Sequence, residues 1–368
     1  MNKVILYIII FFAVLGSIDK IIGNKFGLGK KFDEGFMAMG NLALGIIGIY
    51  SMAPILANGL LSIIAPIFKV IGVDPSISVG SLLACDMGGY SSAMEIAKTR
   101  ELGMFSGLLI ASMLGATIVY TIPIAIGVIE KEDHPFFIKG ILAGIITIPI
   151  GALIGGILSG MNILVIIKNL IPIIIFSIIL AIGLIKQPEK IMKSFAYFNK
   201  IIAILGTIGL IAGIFQRLTG ITLIHGMKPL QEGLSIVVNI SIFLAGAYPM
   251  MFIITKLFTK PLSKVGEKVG IEENAVIGLI ISLANNIPAF VMLKDMDKRG
   301  KVICSAFAVS GAFSFGGQMG FVASVESSMI VPVMIGKLTA GISGVILAYF
   351  LTGEEVKDSS CVMAKNTQ

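Results

Sequence analysis

Histidine is almost missing from this chain of 368 residues: only His134 and His225 occur, both in loop-like sequence. That leaves no basis for a histidine-built metal or catalytic centre, and no HExxH pattern is present. Cysteine is scarce as well. Cys85, Cys304 and Cys361 form no CxxC pair and no metal spacing, so they read as ordinary thiols, with Cys85 a convenient chemical probe beside Asp86. Charged residues are only 13% of the chain, and no stretch is long or polar enough to build a soluble domain. Without paired catalytic groups, a metal site or a cofactor motif, an enzyme is not expected.

What the chain has instead is apolar length. Hydrophobic residues make up 56% of it and the mean hydropathy is +0.99. Runs near twenty residues recur along the sequence, which is the pattern of an all-α polytopic membrane protein. They predict helices at about 3–23, 35–55, 103–129, 137–159, 162–186, 197–217, 233–257, 302–325 and 329–352. Two composite regions, 57–101 and 258–301, bring the expectation to about 9 to 11 transmembrane helices in one transporter domain spanning 1–368. Within it, 1–34 is a first helix and loop, 35–186 repeat one with a linker helix, 187–232 a connecting helix and loops, 233–352 repeat two and 353–368 a polar tail. The first apolar run lacks a small-residue cleavage site and closes on Asp19 and Lys20, so it reads as a retained helix rather than a signal peptide. The net charge of +7 belongs to loops that orient such a protein, not to nucleic-acid binding.

Two stretches interrupt the apolar pattern. LLACDMGGY at 82–90 places Asp86 far from any plausible helix end, followed by Gly88 and Gly89, which let the backbone turn or a ligand approach. LANNIPAF at 283–290 places Asn285, Asn286 and the helix-breaking Pro288 in the corresponding position. A charged group at bilayer depth costs about 2.5–3.5 kcal/mol on insertion scales, so Asp86 is the best candidate for a cation site, or else a helix cap or an ion-pair partner. The asparagines offer amide oxygens to a hydroxyl or ammonium group, or are capping residues in a kinked helix. Tyr90, and Tyr248 before Pro249 in a helix, offer ring faces to a cation, or simply pack. GAFSFGGQMGF at 311–321 reads as close helix packing, with Gln318 a polar lining residue. Asp33 and Glu34 are expected at a helix entrance and Glu326 in a solvated loop, while Lys186, Lys190, Lys193 and Lys200 mark an exposed loop between the halves.

Matching polar positions recur at an offset of 198 to 200 residues: Glu34-Gly35 with Glu232-Gly233, Tyr50 with Tyr248, Leu83-Ala84 with Leu283-Ala284, Cys85-Asp86 with Asn285-Asn286, and Lys98 with Lys298. This suggests internal duplication. Basic residues then choose the topology. If both broken stretches dip in and return, the face receiving loops 20–34, 130–139, 186–200, 256–301 and the C-terminus holds 20 of the 28 Lys and Arg; if both cross, the split is nearly even. The positive-inside rule favours dipping, with inverted repeats, two re-entrant segments and a cytoplasmic C-terminus.

At these motifs the chain resembles the ethanolamine-utilisation permease family, EutH. The resemblance runs through FDEGFMAMG (32–40), LLACDMGGY (82–90), IPIAIGVIE (122–130), LAGIITIPIG (142–151), LAGAYPM (244–250), SLANNIP (282–288), MDKRGKVICSAFAVS (296–310) and VPVMIGKL (331–338), nearly the whole length. It implies a bacterial inner-membrane permease that admits ethanolamine for an ammonia-lyase in a microcompartment. In one place the chain departs from the family: an acid-histidine pair is replaced here by Gly317-Gln318, so no role of that pair carries over. Joined to the residues, the resemblance predicts alternating access, with Asp86 on the ammonium, Asn285 or Asn286 on the hydroxyl and Tyr90 or Tyr248 along the carbon chain. Gly88, Gly89, Pro249 and Pro288 would serve as hinge and backbone positions, and no metal or cofactor is needed. An inside-negative potential supplies about 2.3 kcal/mol per 100 mV for one charge, so ion coupling is not required. The alternatives are a carrier of broader small amines coupled to H+ or Na+, and a non-transporting sensor or scaffold of the ethanolamine pathway.

Overall fold

The computed structural model describes residues 2–59, 72–268 and 270–353. Lys69, Cys361 and all but the first residue of the polar tail expected at 353–368 lie outside the described residues. Among those described, every regular element is helical, and eight helices are long and apolar enough to cross a membrane. The protein is an all-helical, multi-pass membrane protein.

In chain order the elements are α1 (Asn2–Ile21), α2 (Leu28–Met37), α3 (Met39–Ser51), α4 (Ser76–Leu82), α5 (Tyr90–Ile96), α6 (Arg100–Val128), α7 (His134–Leu158), α8 (Ile163–Lys186), α9 (Pro188–Thr219), α10 (Leu230–Lys268), α11 (Glu273–Ser282), α12 (Asn286–Val291), α13 (Lys298–Ser310), α14 (Gly317–Val325) and α15 (Ile330–Leu351). Two of the sequence breaks become helical hairpins. In the first, α4 and α5 flank an extended Leu83-Ala84 and a π-helical turn at Cys85–Gly89, and Gly88 takes φ 88°, which a Cβ would disfavour. The ends of this hairpin meet: the Asp74 carboxylate accepts from Ser76 N and Lys98 N, both at 2.9 Å. The second hairpin, α11 and α12, closes the same way from the other arm. Asp297 there accepts from Gly300 N at 3.1 Å and Glu272 N at 3.3 Å.

These two hairpin bases lie at opposite ends of the bundle. The first adjoins the start of α6, where Arg100 pairs with Glu326. The second adjoins the far end of α6, where Lys294 pairs with Glu130 at 3.7 Å and Lys301 with Asp133 at 2.5 Å. Since α6 has 29 residues, about 43 Å at 1.5 Å each, the two bases are a membrane thickness apart. Around them α6, α7, α13 and α15 form the core, and residues 105–119 are buried throughout. Isoleucines of α8 such as Ile167, Ile171 and Ile178 face outward, the composition lipid tails require.

Several expectations change. The run 302–325 is not one helix, because residues 311–316 break it and pair with the second hairpin: Phe313 N donates to Ser282 O (2.9 Å) and Phe315 N to Leu283 O (2.8 Å). Lys190, Lys193 and Lys200 sit on α9 rather than in a loop. Asp33 and Glu34 lie well inside α2 and pair with Lys20 (2.6 Å) and Lys31 (2.7 Å), whereas Asp19, buried, caps the α2 entrance through Phe26 N and Gly29 N. The Glu326 side chain is only 15% exposed and holds Arg100. Lys337, inside the predicted helix 329–352 and counted among the eight basic residues of the less basic face, is 1% exposed within α15.

Candidate functional site

The breaks converge on one cavity. Its volume is about 290 Å³, and it is lined by Asn41, Asp86, Tyr120, Tyr248, Asn285 and Gln318 together with apolar neighbours, at the low end of the range of ligand sites. Among the described residues Asp86 is the only carboxylate on its wall. The π turn holds that carboxylate where the backbone leaves helical geometry at Met87 and Gly88, and among the described residues its only side-chain hydrogen-bond partner is Cys85 Sγ, at 4.0 Å. Cys85 itself is fully buried, which makes it a poor probe for reagents in water.

Asn285 sits at the start of α12, where its Oδ1 accepts from Ile287 N at 2.9 Å. With the oxygen engaged, its NH2 group is the part left to meet an acceptor in the cavity, the reverse of the polarity expected for it. Gln318 enters from the first turn of α14, and its Oε1 accepts from Lys337 Nζ at 2.9 Å. Lys337 Nζ also donates to Ser112 O at 2.6 Å, beside the π-helical stretch of α6. A cation thus stands directly behind the cavity wall.

The predicted residues divide. Asp86, Tyr248, Asn285 and Gln318 line the cavity. Asn286 does not: it is fully buried, with Nδ2 toward Thr121 Oγ1 at 3.4 Å and, among the described residues, no partner for Oδ1. Tyr90 stacks edge-on against Phe321 at 6.0 Å, toward the Arg100–Glu326 end. Gly88 and Gly89 form the π turn, Pro249 is buried inside an unbroken α10, and Pro288 stands in the first turn of α12. Tyr120, Asn41 and Lys337 escaped the sequence reading. Tyr120 and Asn41 stand in ordinary helical sequence with nothing to mark them, and Lys337 was hidden by its distance from either break.

Among the described residues the cavity adjoins a further space toward the end where Lys31 and Glu34 lie. This second space, of about 430 Å³, shares Tyr248, Ala284 and Asn285 with the first and reaches Lys31 and Glu34 at its mouth. Toward the opposite end stand the Tyr90–Phe321 contact, the Arg100–Glu326 pair and the Lys228–Glu95 pair at 2.8 Å. Among the described residues no group of three metal-ligating side chains comes together.

The comparisons with known proteins point one way. A family described as "Ethanolamine utilisation protein, EutH" matches residues 1–351. The probable ethanolamine permease EutH of Listeria monocytogenes is 49% identical over 356 residues, covering 97% of this chain and 95% of that protein. An uncharacterized protein of Bacillus subtilis, YxeR, is 46% identical over 95% of each chain, and the probable ethanolamine permease EutH of Escherichia coli K12 is 40% identical over 96% of each. No solved structure matches. The chain belongs to the ethanolamine utilisation protein EutH family, a family of permeases rather than enzymes.

Proposed function

We propose that this protein carries ethanolamine across the bacterial cytoplasmic membrane, binding the protonated amine in the cavity at Asp86. One observation carries the reading: the single carboxylate on the cavity wall stands at a broken helix, where an ammonium group would find both charge and open backbone. Asn285 Nδ2 would donate to the hydroxyl oxygen, and the rings of Tyr120 and Tyr248 would flank the two carbons. Tyr120 takes the place expected for Tyr90.

The hairpin geometry supports a path of nine passages with two dipping segments, the broken α13–α14 being the ninth. The hairpins start from opposite ends, as inverted repeats require, and each has an acid tying its base, Asp74 in one and Asp297 in the other. Lys337, buried within α15, no longer counts toward the opposite face, so the excess of basic residues on the face of loops 20–34 and 256–301 grows, and that face reads as cytoplasmic. The continuous space from Asp86 to Glu34 then corresponds to a site open inward, closed outward by Arg100–Glu326 and Tyr90–Phe321. Alternating access would open the second set and close the passage at Tyr248 and Asn285.

The test is uptake of labelled ethanolamine at pH 6 into proteoliposomes holding wild type or Asp86→Asn, each checked for a folded, monodisperse protein. Uptake lost in Asp86→Asn supports the site. Full uptake in the variant moves the site elsewhere, and no uptake by wild type, with binding retained, favours a sensor or scaffold.

A further inference from the structure

Lys337 is a buried charge that the transport reading does not use. Its Nζ has two acceptors, Ser112 O and Gln318 Oε1, while an ammonium carries three N–H groups. The charge that acts on it is that of Asp86 on the π turn, next to the buried Cys85 thiol, yet among the described residues no ion pair joins Lys337 to Asp86. Where the helices packed on α15 meet it near Lys337, they bring no other charge among the described residues: α7 meets it through Gly151 and Thr147, α6 through Ser112 and α14 through Gln318, while Arg100, Glu101 and Lys139 lie toward the ends of α6 and α7. On α13, Arg299 and Lys301 lie at the far end, by Tyr349 and Asp133.

The charge count at this site is therefore fixed by one carboxylate and one lysine. An ammonium substrate beside Asp86 adds a second cation to a space with a single anion, inside a helical bundle where an unbalanced charge is costly. A neutral lysine would remove the excess. Both hydrogen bonds would survive, because a neutral amine keeps two N–H groups, one for Ser112 O and one for Gln318 Oε1; the third proton is the one without an acceptor.

We propose that Lys337 exchanges its proton against the cationic substrate, so that the site holds one positive charge at a time beside Asp86 and carriage of the ammonium is electroneutral. This rests on the reading that the cavity carries a protonated amine. When the ammonium binds, one N–H bond of Lys337 breaks, the electron pair stays on Nζ, and the proton passes to water on the side to which the site is open. When the ammonium leaves on the other side, water there returns a proton to that pair. One turn moves one ammonium in and one proton out. The membrane potential then does no net work on uptake, contrary to the expectation from Asp86 alone.

Calorimetric titration of the purified full-length protein with ethanolamine at pH 7, in two buffers of unlike ionisation enthalpy, measures protons released per amine bound. Wild type is expected to release about one proton, and Lys337→Gln and Lys337→Arg about none, since glutamine has no proton to give and arginine keeps its own. Binding to wild type without release, or release unchanged in both variants, overturns the exchange while leaving the permease reading intact. No binding at all overturns the permease reading and the exchange with it. A second readout needs no variant: uptake by wild type into proteoliposomes at equal pH on both sides is expected to be unchanged by an inside-negative potassium potential set with valinomycin. Uptake that accelerates severalfold with that potential overturns the proposal.

Discussion

Lys337 Nζ on α15 donates to Gln318 Oε1 on α14 across 2.9 Å, and Gln318 also lines the cavity. One side chain therefore joins the wall of the site to the charge behind it. Gln318→Leu would leave Lys337 a single acceptor, and losing a hydrogen bond to a buried charge costs about 1.5–3 kcal/mol. The expected result is a lower unfolding temperature and a raised KM for ethanolamine. Gln318→Glu should do the opposite to stability, since it places a carboxylate within ion-pair distance of Lys337, but should slow turnover by fixing the lysine in its charged form. Thermal unfolding and uptake kinetics of the two variants separate these effects. A Gln318→Leu protein with wild-type stability and KM would show that the contact does not matter.

Asn285 has two separable tasks. Its Oδ1 caps α12 through Ile287 N, and its Nδ2 is left for the cavity. Asn285→Ser keeps a good capping oxygen but withdraws the amide donor, whereas Asn285→Ala removes both, at a capping cost of about 0.5–2 kcal/mol. Uptake of ethanolamine by Asn285→Ser should show a KM raised about tenfold, the worth of one hydrogen bond of about 1.4 kcal/mol, with little loss of stability. Binding of ethylamine, which has no hydroxyl, should be unchanged. An equal loss for both amines would mean that Asn285 does not touch the hydroxyl.

The two breaks were legible because an aspartate, paired asparagines and a proline interrupt apolar runs, and polar residues at bilayer depth need a physical reason. The third break, at 311–316, was not. Its residues are glycine, alanine, serine and phenylalanine, all compatible with a helix, and what opens it is pairing with Ser282 and Leu283 on a distant segment. Lys337 failed for a related reason. A lysine seven residues into a helix can send its head to the membrane surface, and only the packing of α15 against α6, α7 and α14 turns it inward. Tyr90 looked nearer to Asp86 than Tyr120 in sequence, yet the π turn carries Tyr90 past the cavity, whereas the long α6 brings Tyr120 back to it.

The crossing of the breaks leaves no room for side chains. A Cβ on Gly316 would stand 2.0 Å from Ala284 O, and one on Gly115 would stand 2.1 Å from Leu83 O. Backbone carbonyls cannot rotate away as flexible side chains do. Gly316→Ala and Gly115→Ala should each destabilise the protein by at least the 1–3 kcal/mol typical of overpacking, seen as a lower unfolding temperature in detergent. Gly127→Ala is the control, because nothing lies within 4 Å of its Cβ position. Equal stability of all three variants would mean that the breaks do not pack as described.

The Arg100–Glu326 pair lies at the end remote from the open space, and its titration determines when it can act. Burial alone would raise the Glu326 carboxyl, but hydrogen bonds from Ser328 and Arg100, with the Arg100 charge, outweigh it and hold the group below its ordinary value of 4.5. An acid lowered on folding contributes stability that is fully present above its unfolded value and fades as pH falls through the folded one. The pair should therefore be intact from pH 8 to pH 5 and should not itself make uptake pH-dependent in that range. Glu326→Gln should unfold at a lower temperature than wild type by a constant margin across those pH values, and the margin should close below about pH 4 as the wild-type carboxylate takes up its proton. If the pair also seals the far end, a bulky thiol reagent should modify the cysteine of Tyr90→Cys faster when Glu326→Gln is added than when Glu326 is intact. A margin that closes between pH 7 and pH 5 would instead place the carboxyl above its ordinary value and remove the pair as a stable closure.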